Sequence, residues 1–413
     1  MPHIALVAPL FLENTNRYVA AFAALEGVTL SVISQDPSRA IPESLKPHIA
    51  GHFQVRDVGD ASELARALGG LRQGIGPIDR LTGFLEQLQV PMAKARELAE
   101  VPGMRVAAAR RFRDKDVMKE VLREHGVPVA ASRLVSSMEE LRAFVDAVGF
   151  PVIVKPQAGL GSRGTHRIES QGDLDALARL GLEPRQGHPL QAEQFIRARE
   201  FTCETVTIHG EPVWRSGTRY FPTPLEVLET PWKQYCVLLP REVEAPWTDF
   251  APVNGAALDA LFGDEKEVAG TALSHMEWFY AEGGKMFVSE VGVRPPGVHI
   301  MPLMSLAHDV DMVAKWAELI AFDRFTPVER RCAAGAAFFR GQGGGARVVE
   351  VHGLEEAVAK VGPALVELRA PKVGQLRATG YEGEGSAIVK SESTEAVKAA
   401  LLALVETVQV RYG

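Results

Sequence analysis

The sequence predicts a mixed α/β protein in which an open parallel sheet is followed by antiparallel strands. Two observations carry this reading. Over the first hundred residues, short β-branched runs alternate with amphipathic helical segments, as in a parallel sheet covered by helices. Further on, strand-like runs follow one another across glycine turns with no helix between them, as in antiparallel pairs. At 413 residues the chain has room for two to four domains of about 150 residues each.

The elements can be taken in order. Ile4–Leu10 is an apolar run suited to a strand buried on both faces. Asn14–Leu25 has helical spacing, with Tyr18, Phe22 and Leu25 on one side. Val28–Ile33 is a second strand, Ser62–Leu71 an amphipathic helix and Leu81–Leu85 another strand. The loop after the first strand, Ala8-Pro9-Leu10-Phe11, has no glycine, which argues against a dinucleotide fingerprint, and Gly74-Ile75-Gly76 reads as a loop. Arg113–His125 and Met138–Val148 are helices closed by Gly126 and Gly149. The strand Val152-Ile153-Val154 leads through Lys155-Pro156 to the loop Gly159-Leu160-Gly161-Ser162-Arg163-Gly164 and then to Thr165–Ile168. Two strands around a glycine-rich turn are not a Walker A loop, which needs Gly-Lys-Ser/Thr at a helix start.

Gln191–Ile196 and Thr202–Ile208 are strands, with a turn at Gly210. Residues 221–267 read as loops with one helix. Thr271–Tyr280 and Lys285–Val291 form a hairpin across Glu282-Gly283-Gly284. A helix of about 20 residues is expected around Asp309–Ala321, and 331–413 alternates strands with two helices as a separate closing subdomain. The units expected are therefore 1–110, 111–192, 193–325 and 326–413.

Composition narrows the function. Lys+Arg at 45 against Asp+Glu at 52 gives a net charge of −7 without a basic run, a poor match to sequence-independent nucleic-acid binding. Cys203, Cys236 and Cys332 are too few and too scattered for a disulfide framework or a zinc site, and are read as packing residues of a reducing cytoplasm. No signal-peptide pattern and no window of ~18 apolar residues is found. The expected partners are small molecules, with no nucleic acid and no membrane; a homodimer stays open.

Several residues carry chemistry. Backbone N–H groups in a glycine turn can wrap an anion, and Lys155 before it offers a compact positive charge, although a solvated hairpin turn has the same pattern. Glu277 and Glu290 fall on neighbouring strands of the hairpin, where two converging carboxylates repel unless a cation joins them. Arg294, four residues after Glu290, adds a planar fork of donors for phosphoryl oxygens. His275 shares a strand face with Glu277 and can touch a substrate or serve as a structural histidine. Gly341–Gly345 has no partnering lysine and reads as a mobile turn.

In order and spacing over 110–320 these residues resemble the ATP-grasp ligases, in particular the carboxylate–amine ligases acting on amino acids. The resemblance implies an N-terminal open α/β domain, a lid subdomain and a closing subdomain that includes Phe338–Gly345 and Gly380–Ile388. It implies that Lys115 and Lys155 hold phosphates, with Gly159, Gly161, Ser162 and Gly164 in the lid loop. Glu193, Gln194, Phe195 and Ile196 match the hinge strand that reads adenine, and Glu200 the ribose-binding carboxylate. Glu277 and Glu290 match the ligands of Mg2+ (Mn2+ can substitute), and Arg294 the arginine that steadies an acyl phosphate. Lys155 and Arg294 are thus the catalytic candidates, with His275 and Arg294 at the substrate.

One departure is Gly292, which stands where the family usually has an asparagine ligand and leaves one metal position short of an oxygen. The activity implied is amide or peptide bond formation with release of ADP and phosphate. Two alternatives are bicarbonate activation of the biotin-carboxylase kind and a non-catalytic ATP sensor or scaffold. Val298 stands where biotin carboxylases carry a basic glutamate. Substrate contacts are expected near 215–240, with Arg215, Arg219 and Trp232 as candidates.

Overall fold

The computed structural model describes residues 1–156, 164–229, 234–378, 380 and 382–413. The N-terminal region consists of β1 (His3–Val7), α1 (Glu13–Ala23), β2 (Thr29–Ser34), β3 (Gly51–Gln54), α2 (Ala61–Gly74), β4 (Arg80–Thr82) and α3 (Gln89–Ala99). Its four strands form a parallel sheet in the order β3-β2-β1-β4. The central strand β1 is buried throughout, which explains its uninterrupted apolar run. Asp60 starts α2 by accepting from the backbone N–H groups of Ser62 and Glu63. The strand β3 and the helix α3 were not legible in the sequence. β3 (GHFQ) is a short outer strand without a β-branched residue, so it lacks the usual strand signal.

α4 (Val106–Arg111) and α5 (Lys115–Glu124) lead into a second layer. There β5 (Ser132–Val135), α6 (Met138–Val148), β6 (Val152–Pro156), β7 (His166–Ile168), α7 (Gln171–Arg179) and β8 (Leu190–Gln194) build an antiparallel sheet in the order β5-β8-β6-β7. Strand alternation divides its residues between two faces. Val152 and Val154 pack with Leu141, Phe144, Leu174 and Leu177 of the two helices, while Ile153 and Lys155 face the other way. β8 runs whole within this sheet, across the unit boundary expected at 192/193.

The third and largest layer holds nine strands. It contains β9 (Ala198–Ile208), β10 (Glu211–Ser216), β11 (Arg219–Phe221), α8 (Pro224–Glu229), β12 (Tyr235–Leu239), α9 (Trp247–Phe262), α10 (Lys266–Ala269), β13 (Ala272–Ala281), β14 (Met286–Gly292), α11 (Ile300–His308) and α12 (Met312–Phe322). The chain ends with β15 (Ala333–Phe339), β16 (Gly341–Gln342), β17 (Val348–His352), α13 (Leu354–Val361), β18 (Leu365–Arg369), β19 (Gly385–Ser391), α14 (Thr394–Thr407) and β20 (Gln409–Tyr412). The large sheet runs β14-β13-β9-β11-β12-β15-β19-β18, with β10 paired to β9. Strands β15, β19 and β18 of the C-terminal segment therefore continue the sheet that carries β13 and β14.

Three readings of this region are corrected. Residues 221–267 hold a strand, β12, whose run YCVLL is buried at every position. The helix expected around Asp309–Ala321 is two helices, because Asp309 turns left-handed (φ 54°) and ends α11, and Asp311 caps α12 through the N–H groups of Val313 and Ala314. Gly341 is not in an open turn: it pairs with β20, and a Cβ there would lie 2.3 Å from the Tyr412 ring. The cysteines behave as read: Cys203 and Cys236 are buried in core clusters.

Aromatic and charged contacts join the N-terminal region to α12 and the segment after it. Tyr18 and Phe22 of α1 meet Trp316 of α12 edge-on, each at 5.5 Å, and Arg80 pairs with Asp323. Behind β13, Trp278 stacks on Phe250 at 3.9 Å and on Phe201 at 5.0 Å. No described helix is long and apolar enough to cross a membrane.

Candidate active site

A cleft of about 520 Å³ lies between the antiparallel sheet of β5–β8 and the large sheet. Its walls bring together Lys115, Lys155, Glu193, Gln194, Phe195, Ile196, Glu200, His275, Glu277, Glu290 and Arg294. These side chains come from distant parts of the sequence and from both sheets. Gly164 is just outside the lining, with a left-handed φ of 70° and space for a Cβ only 3.1 Å from Pro156 Cγ. Gly159, Gly161, Ser162 and Trp232 lie outside the described residues.

Each side chain is aimed by its element. Lys115 opens α5, and Lys155 sits near the end of β6 on the face opposite the helices. β8 ends at Gln194, so residues 195–197 leave the ladder where they line the cleft, and the Phe195 N–H reaches back to the Pro151 carbonyl at 3.2 Å. On the large sheet, Glu200, Thr202 and Glu204 of β9 oppose Phe279, Glu277 and His275 of β13, which puts all six on one face. Glu277 is directly opposite Glu290 of β14. A bulge at Ser289 follows this pair, and as a result the consecutive residues Ser289 and Glu290 both reach the cleft, against the strict alternation of a regular strand.

The charges form four paired groups. Lys115 Nζ is 2.5 Å from Glu290 Oε1. Glu193 is shared, with Oε2 2.7 Å from Lys119 Nζ and Oε1 2.9 Å from Lys155 Nζ. Arg294 Nη2 is 2.6 Å from Glu86 Oε2, and Glu86 Oε1 is 3.2 Å from Arg113 Nη1. His275 Nδ1 is 2.8 Å from Glu204 Oε1 and its Nε2 is 3.7 Å from Glu277 Oε1.

Burial and these partners set the proton affinities. Burial alone would raise Glu193, but Lys119 and Lys155 outweigh it and take it down to about 2. Burial would likewise raise Glu290, and Lys115 and Lys155 hold it below the usual carboxylate range. Lys155 is above the ordinary lysine value, since Glu193, Glu290 and Glu277 overcome its burial. Burial and then the Glu277 charge push Glu200 well up. His275 is held at about 9, because its hydrogen bonds to Glu204 and Glu277 outweigh burial.

Glu200, Glu277 and Glu290 bring three carboxylates to one cleft, and the Glu277 charge adds to the burial that raises Glu200. A divalent cation would offset that charge, and hard oxygen donors suit magnesium. Among the described residues no three acidic, histidine or cysteine side chains gather at metal-ligand spacing. A cation here would therefore take two carboxylates from the protein and its remaining oxygens from phosphate and water.

Sequence reasoning missed Glu86, Arg113, Lys119 and Glu204, which hold the cleft residues in place. It also placed Arg215 and Arg219 at the substrate, and neither lines the cleft. Arg215 lies opposite Thr205 and donates to Asn254 at 2.8 Å, while Arg219 lies opposite Phe201 and its guanidinium is 5.7 Å from that ring. Thr205 and Phe201 are on the far face of β9, one residue out of step with Glu200, Thr202 and Glu204. Past Arg294 the backbone turns left-handed at Val298 (φ 54°) and His299 (φ 63°), an uncommon state for a β-branched residue at a cleft wall.

The chain is similar in sequence and in fold to several known proteins. Residues 114–196 match the family model described as the carbamoyl-phosphate synthase L chain, ATP binding domain. The chain is 28% identical over 292 residues to the L-arginine-specific L-amino acid ligase of Bacillus subtilis, an alignment covering 70% of this chain and 67% of that one. In structure it resembles the L-amino acid ligase from Bacillus licheniformis, with a TM-score of 0.72 at 18% identity over 100% of this chain and 99% of the other. It also resembles the N5-carboxyaminoimidazole ribonucleotide synthetase from Thermotoga maritima, with a TM-score of 0.69 at 18% identity over 100% of both chains.

Proposed function

We infer that this chain, an ATP-grasp protein related to carboxylate–amine ligases, uses ATP to join a small carboxylate to an amine through an acyl phosphate. The observation that carries the reading is the convergence, in one cleft, of Lys115 and Lys155 with the opposed pair Glu277/Glu290 and with Arg294. Amino acids are the favoured substrates, since two of the relatives are L-amino acid ligases.

In the first step a carboxylate oxygen attacks the γ-phosphorus, the bond to the bridging oxygen breaks, and ADP leaves. In the second the amine, entering as its free base, attacks the acyl carbon and phosphate leaves. Lys115 and Lys155 hold and neutralise phosphate oxygens, and phosphoryl transfer depends mostly on such positioning. The segment 194–197 borders the adenine, and Glu200 faces the ribose. Arg294 meets the transferred phosphoryl group with a planar fork already held by Glu86. A magnesium ion between Glu277 and Glu290 would supply charge neutralisation for the phosphates. The cleft walls keep water from an intermediate that would otherwise hydrolyse.

Val298 at the cleft wall takes no proton, which weighs against bicarbonate activation of the biotin-carboxylase kind. The test is an ADP-release screen over pairs of amino acids, with products identified by mass. ADP, phosphate and an amide are expected. AMP and pyrophosphate would overturn the acyl-phosphate route, and ATP binding with no turnover on any pair would favour the sensor.

A further inference from the structure

We propose that Lys119 is the counter-charge of Glu193 and leaves the charge of Lys155 to face the nucleotide phosphates, a positioning role that rests on the ATP reading above. One carboxylate holds both lysines, with Lys119 2.7 Å from Oε2 and Lys155 2.9 Å from Oε1. The two lysines differ in where they lie. Lys155 lines the cleft; Lys119 does not, and it is only 1% exposed.

A lysine buried to that degree carries a large desolvation cost unless it is paired. A structural role alone would be met by an apolar side chain of the same length, such as methionine. What methionine would not supply is a second positive charge on Glu193. With Lys119 charged, the three groups together carry one net positive charge, and Lys155 is the member that presents it to the cleft. Without it, Glu193 and Lys155 form a neutral pair and the phosphates meet no surplus charge from this wall. Burial lowers the proton affinity of Lys119 to about 8 against the pull of Glu193, and the side chain remains a cation at neutral pH.

The same contact links separate elements. Lys119 is on α5, Lys155 on β6 and Glu193 on β8, two residues before the segment that leaves the ladder to border the cleft. A charge role and a scaffolding role therefore predict different ligand dependence. Loss of the counter-charge weakens nucleotides that carry phosphates and spares adenosine, whereas a displaced hinge weakens both.

The experiment is calorimetric titration of ATP and of adenosine, in magnesium buffer, into wild type, Lys119→Met, Lys119→Arg and the double variant Lys119→Met/Glu193→Gln. ATP affinity should fall about ten- to a hundredfold in Lys119→Met and be retained in Lys119→Arg, with adenosine affinity unchanged in both. The double variant, which removes the carboxylate together with its counter-charge, should keep the wild-type ratio of ATP to adenosine affinity, because any effect of Glu193→Gln at the hinge falls on both ligands alike. Unchanged ATP affinity in Lys119→Met overturns the proposal, and so does a parallel loss of adenosine. If Lys119→Met does not fold, the double variant decides through the ratio of ATP to adenosine affinity, and a fall in that ratio below wild type is overturning. A wild type that binds no ATP overturns the ATP reading and this proposal with it; a wild type that binds ATP beside an unaffected Lys119→Met overturns this proposal alone.

Discussion

Glu86 accepts from both Nε and Nη2 of Arg294, at 3.0 and 2.6 Å, although 208 residues separate the two in the chain. The N-terminal region thus holds the arginine that faces the cleft of the large sheet. The same carboxylate faces Arg113, so two guanidinium groups share this acid. Glu86→Gln would remove the charge that both guanidinium groups face across this contact. The variant is expected to lose about 3 kcal/mol of unfolding free energy in urea and to lose turnover as well, since breaking one side of a buried pair is costly. Wild-type stability in the variant would mean that solvent already compensates the arginines.

Arginine and lysine differ in geometry, which allows a second test. Arg294→Lys keeps the charge and loses the planar fork. Loss of one preorganised donor to a developing charge costs about 2.7–4 kcal/mol, or roughly 100- to 1,000-fold in turnover. ATP affinity is expected to change far less, because the proposed function gives ground-state binding to Lys115, Lys155 and the 194–197 segment. Collapse of affinity with turnover retained at saturating ATP would make Arg294 a nucleotide-binding residue.

The position of Gly292 allows a gain-of-function prediction. A Cβ built there meets nothing nearer than Arg294 Cγ at 3.7 Å, an ordinary contact. Gly292→Asn should fold normally and add one oxygen beside Glu290, tightening Mn2+ binding roughly tenfold by paramagnetic titration. Unchanged Mn2+ affinity would show that the metal does not reach this side of the pair.

The fourth prediction concerns pH. His275 has its proton affinity raised to about 9 from an ordinary 6.5, so it binds protons more tightly in the folded protein than in the unfolded chain. The stabilisation is then complete below the ordinary value and is lost as pH rises through about 9. Its upper limit is about 3 kcal/mol. Urea unfolding with a chelator present, from about pH 6 to about pH 10, should show wild type losing its advantage over His275→Gln. A pH-independent difference would show that Glu204 and Glu277 do not hold the proton.

What was legible in the sequence follows from the range of each signal. The glycine turn, Lys155, Glu277, Glu290 and Arg294 belong to short patterns whose spacing alone constrains them, and the structure brings the described members into one cleft. Glu86 has no such pattern, because only tertiary packing brings it to Arg294. Lys119 has no such pattern either, because the carboxylate that pairs with it, Glu193, lies 74 residues away in the chain. Arg215 and Arg219 had suitable chemistry, but strand alternation put them on the wrong face. Asp309 looks like an ordinary helical position, and only its left-handed backbone shows the break.

Along β13 the odd-numbered side chains His275, Glu277 and Phe279 face the cleft, while Met276 and Trp278 are wholly buried behind it. Sliding the strand by one residue would drive Glu277 into the stack of Trp278, Phe250 and Phe201 and expose the indole, so the aromatic layer fixes which carboxylate meets Glu290. This separates two kinds of evolutionary freedom. Even-numbered positions can drift only among residues of similar volume, while on the odd-numbered side Phe279 can change size with little effect on that aromatic layer. A lineage could therefore acquire a new substrate preference along this strand by altering alternate residues alone, inheriting the scaffold unchanged.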